Sequence, residues 1–144
     1  MYPIVMKRRK GYHHTKKCYP TTVSSTVEEL LQRGQYKAET DINSINFPAM
    51  TEGNYQISAR IINIKRRPVF EDMAFEITMD SIYERGYEFA DLRETLSVLD
   101  QHKNIPLPPT IYVLATRIDK SSSLLAPCIA QQVFLGKKVY LESV

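Results

Sequence analysis

The chain has 144 residues, of which 43% are hydrophobic, and a formal net charge of +3 at pH 7. This length suits a single domain with its own core, which excludes a small scaffold that depends on disulfides or metals. No apolar run approaches the roughly 20 residues that cross a bilayer, so a helical membrane protein is excluded as well. Cys18 and Cys128 lie far apart in the sequence. We predict reduced thiols in an intracellular compartment rather than a disulfide.

Positive charge is concentrated at the start of the chain. Six of the 19 Lys and Arg residues precede Glu28, the first acid, so the remainder holds 13 basic and 16 acidic residues. We therefore predict a basic N-terminal arm and linker at residues 1–26, attached to a single α+β domain at residues 27–144. Flexible cations with tyrosine rings between them suit phosphate contact and base stacking. The predicted nucleic-acid-binding residues of the arm are Lys7, Arg8, Arg9, Lys10, Tyr12, Lys16 and Lys17.

A short helix is predicted directly after the arm. Ser25 or Thr26 can serve as its N-cap. Glu28 or Glu29, three residues further on, completes a capping box. Gly34 is a suitable helix end. A helix of about two turns is marginal alone, so it must pack against the domain.

Three strands are predicted next, because apolar and polar residues then alternate with a period of two. The first covers Tyr36 to Ile42. The second runs from Tyr55 to Ile64, and its apolar residues at both parities indicate either a bulge or coverage on both sides. The third covers Met73 to Met79.

A second basic cluster, Lys65-Arg66-Arg67, lies between the second and third predicted strands. Exposed loops often carry binding residues, so we predict these three side chains as further nucleic-acid contacts. Protection of a sheet edge is the alternative role, since lysine and proline are common there.

The second half of the chain predicts one main helix and more strands. Apolar residues spaced by three and four from Phe89 to Leu99 indicate the helix. A central strand is predicted from Thr110 to Ile118. Gly136-Lys137 then predicts a type II′ hairpin turn between two terminal strands. The expected fold is a mostly antiparallel sheet, or a small barrel, of five to six strands with this helix and the short N-terminal one.

Catalytic and metal-binding signatures are missing from the sequence. It has no glycine-rich phosphate loop and no nucleophile–base motif, so we predict that the protein is not an enzyme and uses no cofactor. His13, His14 and Cys18 offer three zinc ligands where four are needed, and no metal site is predicted. His102, at the end of the main helix, is expected to cap a carbonyl group.

A basic N-terminal arm joined to a compact, sheet-rich body resembles the layout of small viral structural proteins of matrix or coat type. Residues 108–112, Pro-Pro-Thr-Ile-Tyr, are close to the PPxY budding motif, with the tyrosine one place late. The resemblance implies a non-enzymatic protein that binds RNA, single-stranded DNA or an anionic membrane surface through its arm. It also implies homo-oligomers, in the cytoplasm or nucleus of a host cell or in the virion. The alternative is a monomeric accessory protein that binds single-stranded nucleic acid on an oligonucleotide-binding barrel.

Overall fold

The structure is a computed structural model that describes residues 2–11, 17–64, 82–120, 123–131 and 136–143. These residues form one mixed β-sheet of nine strands and three helical segments. The strands are β1 (Tyr2–Arg8), β2 (Tyr19–Val23), β3 (Lys37–Ala38), β4 (Tyr55–Ile64), β5 (Tyr87–Phe89), β6 (Thr110–Tyr112), β7 (Ile118–Lys120), β8 (Ser123–Ala130) and β9 (Lys138–Ser143). The helices are α1 (Val27–Arg33), the short helical segment α2 (residues 82–84) and α3 (Leu92–Gln101).

The sheet is open rather than closed into a barrel. Its strand order is β2-β4-β1-β6-β8-β9-β3, while β5 pairs with β1 and β7 pairs with β8. The β1–β6 and β3–β9 pairs are parallel and the other pairs are antiparallel. The prediction of five to six strands in a mostly antiparallel sheet or small barrel, with one main and one short helix, is therefore wrong. Short strands such as β3 and β5 exist through pairing with distant segments, which local alternation does not reveal.

β1 lies in the interior of the sheet, between β4 on one side and β5 and β6 on the other. Ile4, Val5 and Met6 are at most 2% exposed, because both faces of this strand are covered. β2, which follows, also pairs along β4. These strands correct the prediction that residues 1–26 form an arm outside the domain. Burial of the short apolar start outweighs the tendency of the following cations to remain in solvent.

The sheet has two differently covered faces. We call the side packed against α1 and α3 the helix face; its strands contribute Val5, Ala59, Ile111, Ile129 and Val139. We call the other side the aromatic face; it carries Ile4, Met6, Tyr2, Tyr87, Phe89 and Tyr112. In β4, Ile57 and Ile61 pack on the helix face, whereas Ile62 and Ile64 pack on the aromatic face. Coverage of this strand on both sides, one of the two predicted alternatives, is confirmed.

The helix boundaries follow from local capping. Thr26 is the N-cap of α1 and forms the predicted capping box with Glu29, and Gly34 follows the last turn. The main helix begins later than predicted, with Asp91 as its N-cap. Phe89 belongs instead to β5. Its apolar side chain fits the helical spacing, but the Asp91 cap sets the first turn of α3 two residues further on.

Several predicted strands have different limits in the structure. Only Lys37–Ala38 of the first is a strand, because the chain turns where the Ile42 N–H donates to the Glu39 carbonyl. The central strand predicted from Thr110 is confirmed between β1 and β8, but it ends at Tyr112. The terminal hairpin joins β8 to β9 with Ala130 opposite Lys138, so Gly136-Lys137 is not its whole turn. The predicted strands at residues 73–79 and 132–135 lie outside the described residues.

The β2 edge of the sheet is closed by side chains from the end of α3. Gln101 accepts a hydrogen bond from the Thr22 N–H at 2.9 Å and donates to the Thr22 carbonyl. His102 Nε2 lies 3.0 Å from the Pro20 carbonyl oxygen and 3.1 Å from the Thr21 hydroxyl, so its ring contacts β2 and not a carbonyl group at the end of the helix, where it was expected. An edge whose backbone groups are already bonded is a poor template for another strand.

Candidate nucleic-acid-binding surface

Lys7 points into the helix face and has a structural partner there. Its Nζ atom donates to both carboxylate oxygens of Glu94, at 3.1 and 2.8 Å. The Glu94 side chain is 0% exposed and that of Lys7 is 14% exposed. A buried carboxylate without a cation would be strongly unfavourable. Lys7 is therefore occupied in neutralising Glu94 and is not a free phosphate contact, contrary to its predicted role.

A second carboxyl group, Asp91, completes this buried cluster. The Glu94 N–H donates to Asp91 Oδ1 at 2.7 Å, and the Asp91 N–H donates back to Glu94 Oε1 at 3.0 Å. The Met50 N–H donates to Asp91 Oδ2 at 3.0 Å. Burial, and then repulsion by Glu94, raise the pKa of Asp91. The cluster thus joins β1, the loop at Met50 and the start of α3, which is a structural role.

Arg9 is also held by its own chain. Its guanidinium carbon lies 3.4 Å from the centroid of the Tyr83 ring, and Nη1 donates to the Tyr83 carbonyl at 2.7 Å. Its Nε atom is 3.8 Å from the Glu88 carboxylate. Beside these groups lies a cavity of about 300 Å³, lined by Lys7, Met50, Tyr83, Tyr87, Glu88, Phe89 and Ala115. Since Lys7 and Arg9 both face carboxylates here, the cavity is not an anion site.

Arg8 and Arg60, which we call the arginine pair, lie next to each other on the aromatic face. Arg60 pairs with Met6 of β1, and paired residues on neighbouring strands point to the same face. Arg8 lies two residues after Met6 and pairs with Tyr87 of β5, so it points to that face as well. Arg8 Nη2 donates to the Ser58 hydroxyl at 3.3 Å, and Arg60 Nη1 donates to the Tyr87 hydroxyl at 3.2 Å.

Within the described residues, no carboxylate pairs with the arginine pair. Both side chains are partly exposed. A guanidinium has five N–H donors in a planar fork, so one bond to a hydroxyl leaves donors for a phosphate group. Two such groups on one face, with the Tyr87 ring beside them, can hold a phosphate and place a ring for stacking.

A second group of cations, which we call the lysine cluster, is formed by Lys37, Lys137 and Lys138. Lys37 of β3 pairs directly with Lys138 of β9, and both are exposed. Lys137 Nζ lies 5.0 Å from the centroid of the Tyr36 ring. Like charges at paired positions repel each other. The strand pairing therefore brings Lys37 and Lys138 together at this corner of the sheet, where the Glu39 carboxylate also lies, bonded to the Leu141 N–H.

Comparison with known proteins assigns no family to this chain. No family model, curated protein or solved structure matches it. Any function must therefore be argued from the geometry of the chain itself.

The other predicted contact residues have mixed positions. Lys10 and Lys17 are exposed, and Lys17 Nζ lies 5.5 Å from the centroid of the Tyr19 ring. Tyr12, Lys16 and the cluster Lys65, Arg66 and Arg67 lie outside the described residues. Ile64, which precedes that cluster, pairs with Tyr2, at the end of β1 opposite to Arg8.

Sequence reasoning missed Arg60 and the lysine cluster. Arg60 lies between Ala59 and Ile61 in β4, so alternation places its side chain on the other face of the strand. No feature of the neighbouring sequence indicates that Arg60 lies beside Arg8. Lys37 and Lys138 are brought together only by the parallel β3–β9 pair.

Two further features are absent from the described ranges. No group of three or more His, Cys, Asp or Glu residues there is placed to hold a metal ion. No helix in those ranges is both long and apolar enough to cross a membrane.

Proposed function

We propose that the protein is a non-enzymatic structural protein that binds single-stranded nucleic acid through the arginine pair and self-associates. The observation that carries the binding proposal is the pair itself: two partly exposed guanidinium groups on one face, bonded to the hydroxyls of Ser58 and Tyr87 and to no carboxylate in the described chain. Lys10 lies two residues after the last residue of β1 and Lys17 two residues before the first residue of β2; both are exposed and add positive charge. A viral matrix or coat protein would combine these two properties, and we retain that type as part of the proposal.

Single-stranded nucleic acid is favoured over an anionic membrane surface by the aromatic side chains. Tyr87 adjoins the arginine pair, and Tyr2 and Tyr112, whose ring centroids are 4.8 Å apart, lie further along the same face. Base stacking on such rings is a sequence-independent source of affinity.

The double variant Arg8→Ala/Arg60→Ala tests the proposal. Each lost phosphate contact should reduce the dependence of affinity on salt, so the slope of log K against log salt should become shallower by about 1.4, using about 0.7 per phosphate on a single strand. The measurement is fluorescence anisotropy with a labelled oligouridylate over a salt series.

A matched control removes the same amount of charge from the helix-face side of the protein. Arg33, which is paired with Asp100, and Lys103 lie at the ends of α1 and α3, so Arg33→Ala/Lys103→Ala should leave the slope unchanged. An equal loss in both variants would indicate a non-specific charge effect and contradict the site. Binding of the wild type to phosphatidylserine vesicles but not to oligouridylate would replace nucleic acid with lipid as the partner.

Self-association is proposed through the outer edge of β9. Among the described residues of this strand, β3 pairs with Lys138 and Val139. The Leu141 N–H is bonded to the Glu39 carboxylate at 3.3 Å. By alternation along the strand, the Ser143 N–H also points away from β8, so the end of β9 can accept a strand from another subunit.

Ser143→Pro should therefore lower the oligomer size in sizing chromatography and leave thermal stability nearly unchanged. Proline removes the outward N–H and spares the pairing with β8. Glu142→Pro is the control, since its N–H points towards β8 and its loss should lower stability. A wild-type protein that is monomeric at high micromolar concentration, with and without oligonucleotide, would disprove association through this edge.

A further inference from the structure

The two edges of the sheet, at β2 and at β3 with β9, are closed to different degrees. At the β2 edge, Gln101 bonds both the N–H and the carbonyl of Thr22, and the ring of His102 contacts the Pro20 carbonyl. Pro20 has no N–H of its own. The outward backbone groups of Pro20 and Thr22 are thus already bonded, and the β2 edge offers a second strand little to pair with.

β3 closes the other edge only along the first part of β9. The Glu39 N–H donates to the Val139 carbonyl, so Val139 turns its backbone groups away from β8. Alternation along the strand gives the backbone groups of Leu141 and Ser143 the same direction. β3 does not continue beside them, because the chain turns at Glu39, whose carbonyl accepts a hydrogen bond from the Ile42 N–H.

The Glu39 side chain occupies the position of the missing strand. Its carboxylate accepts a hydrogen bond from the Leu141 N–H at 3.3 Å, where a neighbouring strand would supply a carbonyl oxygen. Glu39 is exposed and forms no ion pair within the described ranges. A single long hydrogen bond therefore holds the carboxylate on the edge. Charged side chains at a strand edge are a common protection against pairing with another chain.

We propose that the Glu39 carboxylate blocks the outer edge of β9 in the single subunit and is displaced when a strand of a second copy pairs with this edge. This inference rests on the proposed function and deepens it, because it names the side chain that limits self-association. Two effects oppose the incoming strand. Its carbonyl must replace the hydrogen bond between Glu39 and Leu141, and the carboxylate repels the partial negative charge of that carbonyl.

The experiment is sedimentation equilibrium over a concentration series. Glu39→Ala removes the block and should lower the dissociation constant of self-association by about three- to tenfold, the effect of one net hydrogen bond. Glu39→Gln keeps an acceptor oxygen without the charge, so its constant should lie between those of the wild type and Glu39→Ala. The control Glu52→Ala removes the same charge from an exposed position before β4 and should change nothing. Addition of Ser143→Pro to Glu39→Ala should cancel the gain.

The outcomes separate this inference from the proposed function. If the wild type associates and Glu39→Ala has the same dissociation constant, the block is disproved and the proposed self-association stands. An equal gain in Glu52→Ala, or a gain in Glu39→Ala that survives Ser143→Pro, would also overturn the block, since the effect would then come from bulk charge or from another surface. If the wild type is monomeric and Glu39→Ala associates, the block is supported and the proposed self-association of the wild type fails. If both are monomeric, both proposals fail.

Discussion

Deletion of residues 1–8 is expected to abolish cooperative unfolding of the protein. It removes β1, which pairs with β4, β5 and β6 and so connects the two parts of the sheet. Ile4, Val5 and Met6 are almost fully buried. Each such side chain contributes about 1.5–3 kcal/mol, and the sum is comparable to the whole stability of a typical domain, about 5–15 kcal/mol. Circular dichroism during heating and in urea measures the loss.

The deletion decides between a strand and an arm for this segment. A basic arm could be removed without effect on the body, so retention of a cooperative transition with an unchanged midpoint would show that β1 is dispensable and restore the arm interpretation. Lys10→Gln/Lys17→Gln is the matched control. It lowers the charge of the segment at exposed positions, and its midpoint should stay close to that of the wild type, as is usual for surface substitutions.

The sequence predicted those parts of the fold that depend on neighbours along the chain. Thr26 and Glu29 are three residues apart and form their capping box whatever the rest of the protein does. The two apolar parities of β4 likewise indicated a strand that is either bulged or covered on both sides, and the structure shows the second. Elements that need a distant partner were predicted poorly. Lys37–Ala38 is a strand because it meets β9, a hundred positions along the chain, and nothing in its own composition defines its length.

The candidate site was predicted in part for the same reason. A count of cations identified Arg8, but it could not distinguish Arg8 from Lys7, its neighbour in sequence. Alternation along β1 points Lys7 towards Glu94 on the helix face and Arg8 towards Ser58 on the aromatic face. Which cation is free depends on the partner that the fold supplies. Unpaired charge on the folded protein therefore indicates a polyanion-binding surface more reliably than the number of charged residues in a segment of the sequence.

Glu94→Ala is expected to lower the free energy of unfolding by about 3–5 kcal/mol, the usual cost of removing one member of a buried ion pair. Two effects add. Lys7, with only 14% of its side chain exposed, loses the carboxylate that neutralises it. The Asp91 N–H loses its acceptor at the start of α3. Urea unfolding followed by circular dichroism provides the measurement, because a single domain of this size usually unfolds in one transition.

Two companion variants separate the ion pair from the cap. Glu94→Gln keeps an oxygen for the Asp91 N–H and removes the charge, so its loss should fall between those of the wild type and Glu94→Ala. Lys7→Met/Glu94→Gln removes both charges, and we expect it to be more stable than Glu94→Gln alone, since no unpaired ammonium group remains buried. If Lys7→Met fails to rescue Glu94→Gln, the Lys7 ammonium group is accommodated without Glu94, by solvent or by the Glu88 carboxylate 4.0 Å away, and the expected cost of an unpaired buried charge is disproved.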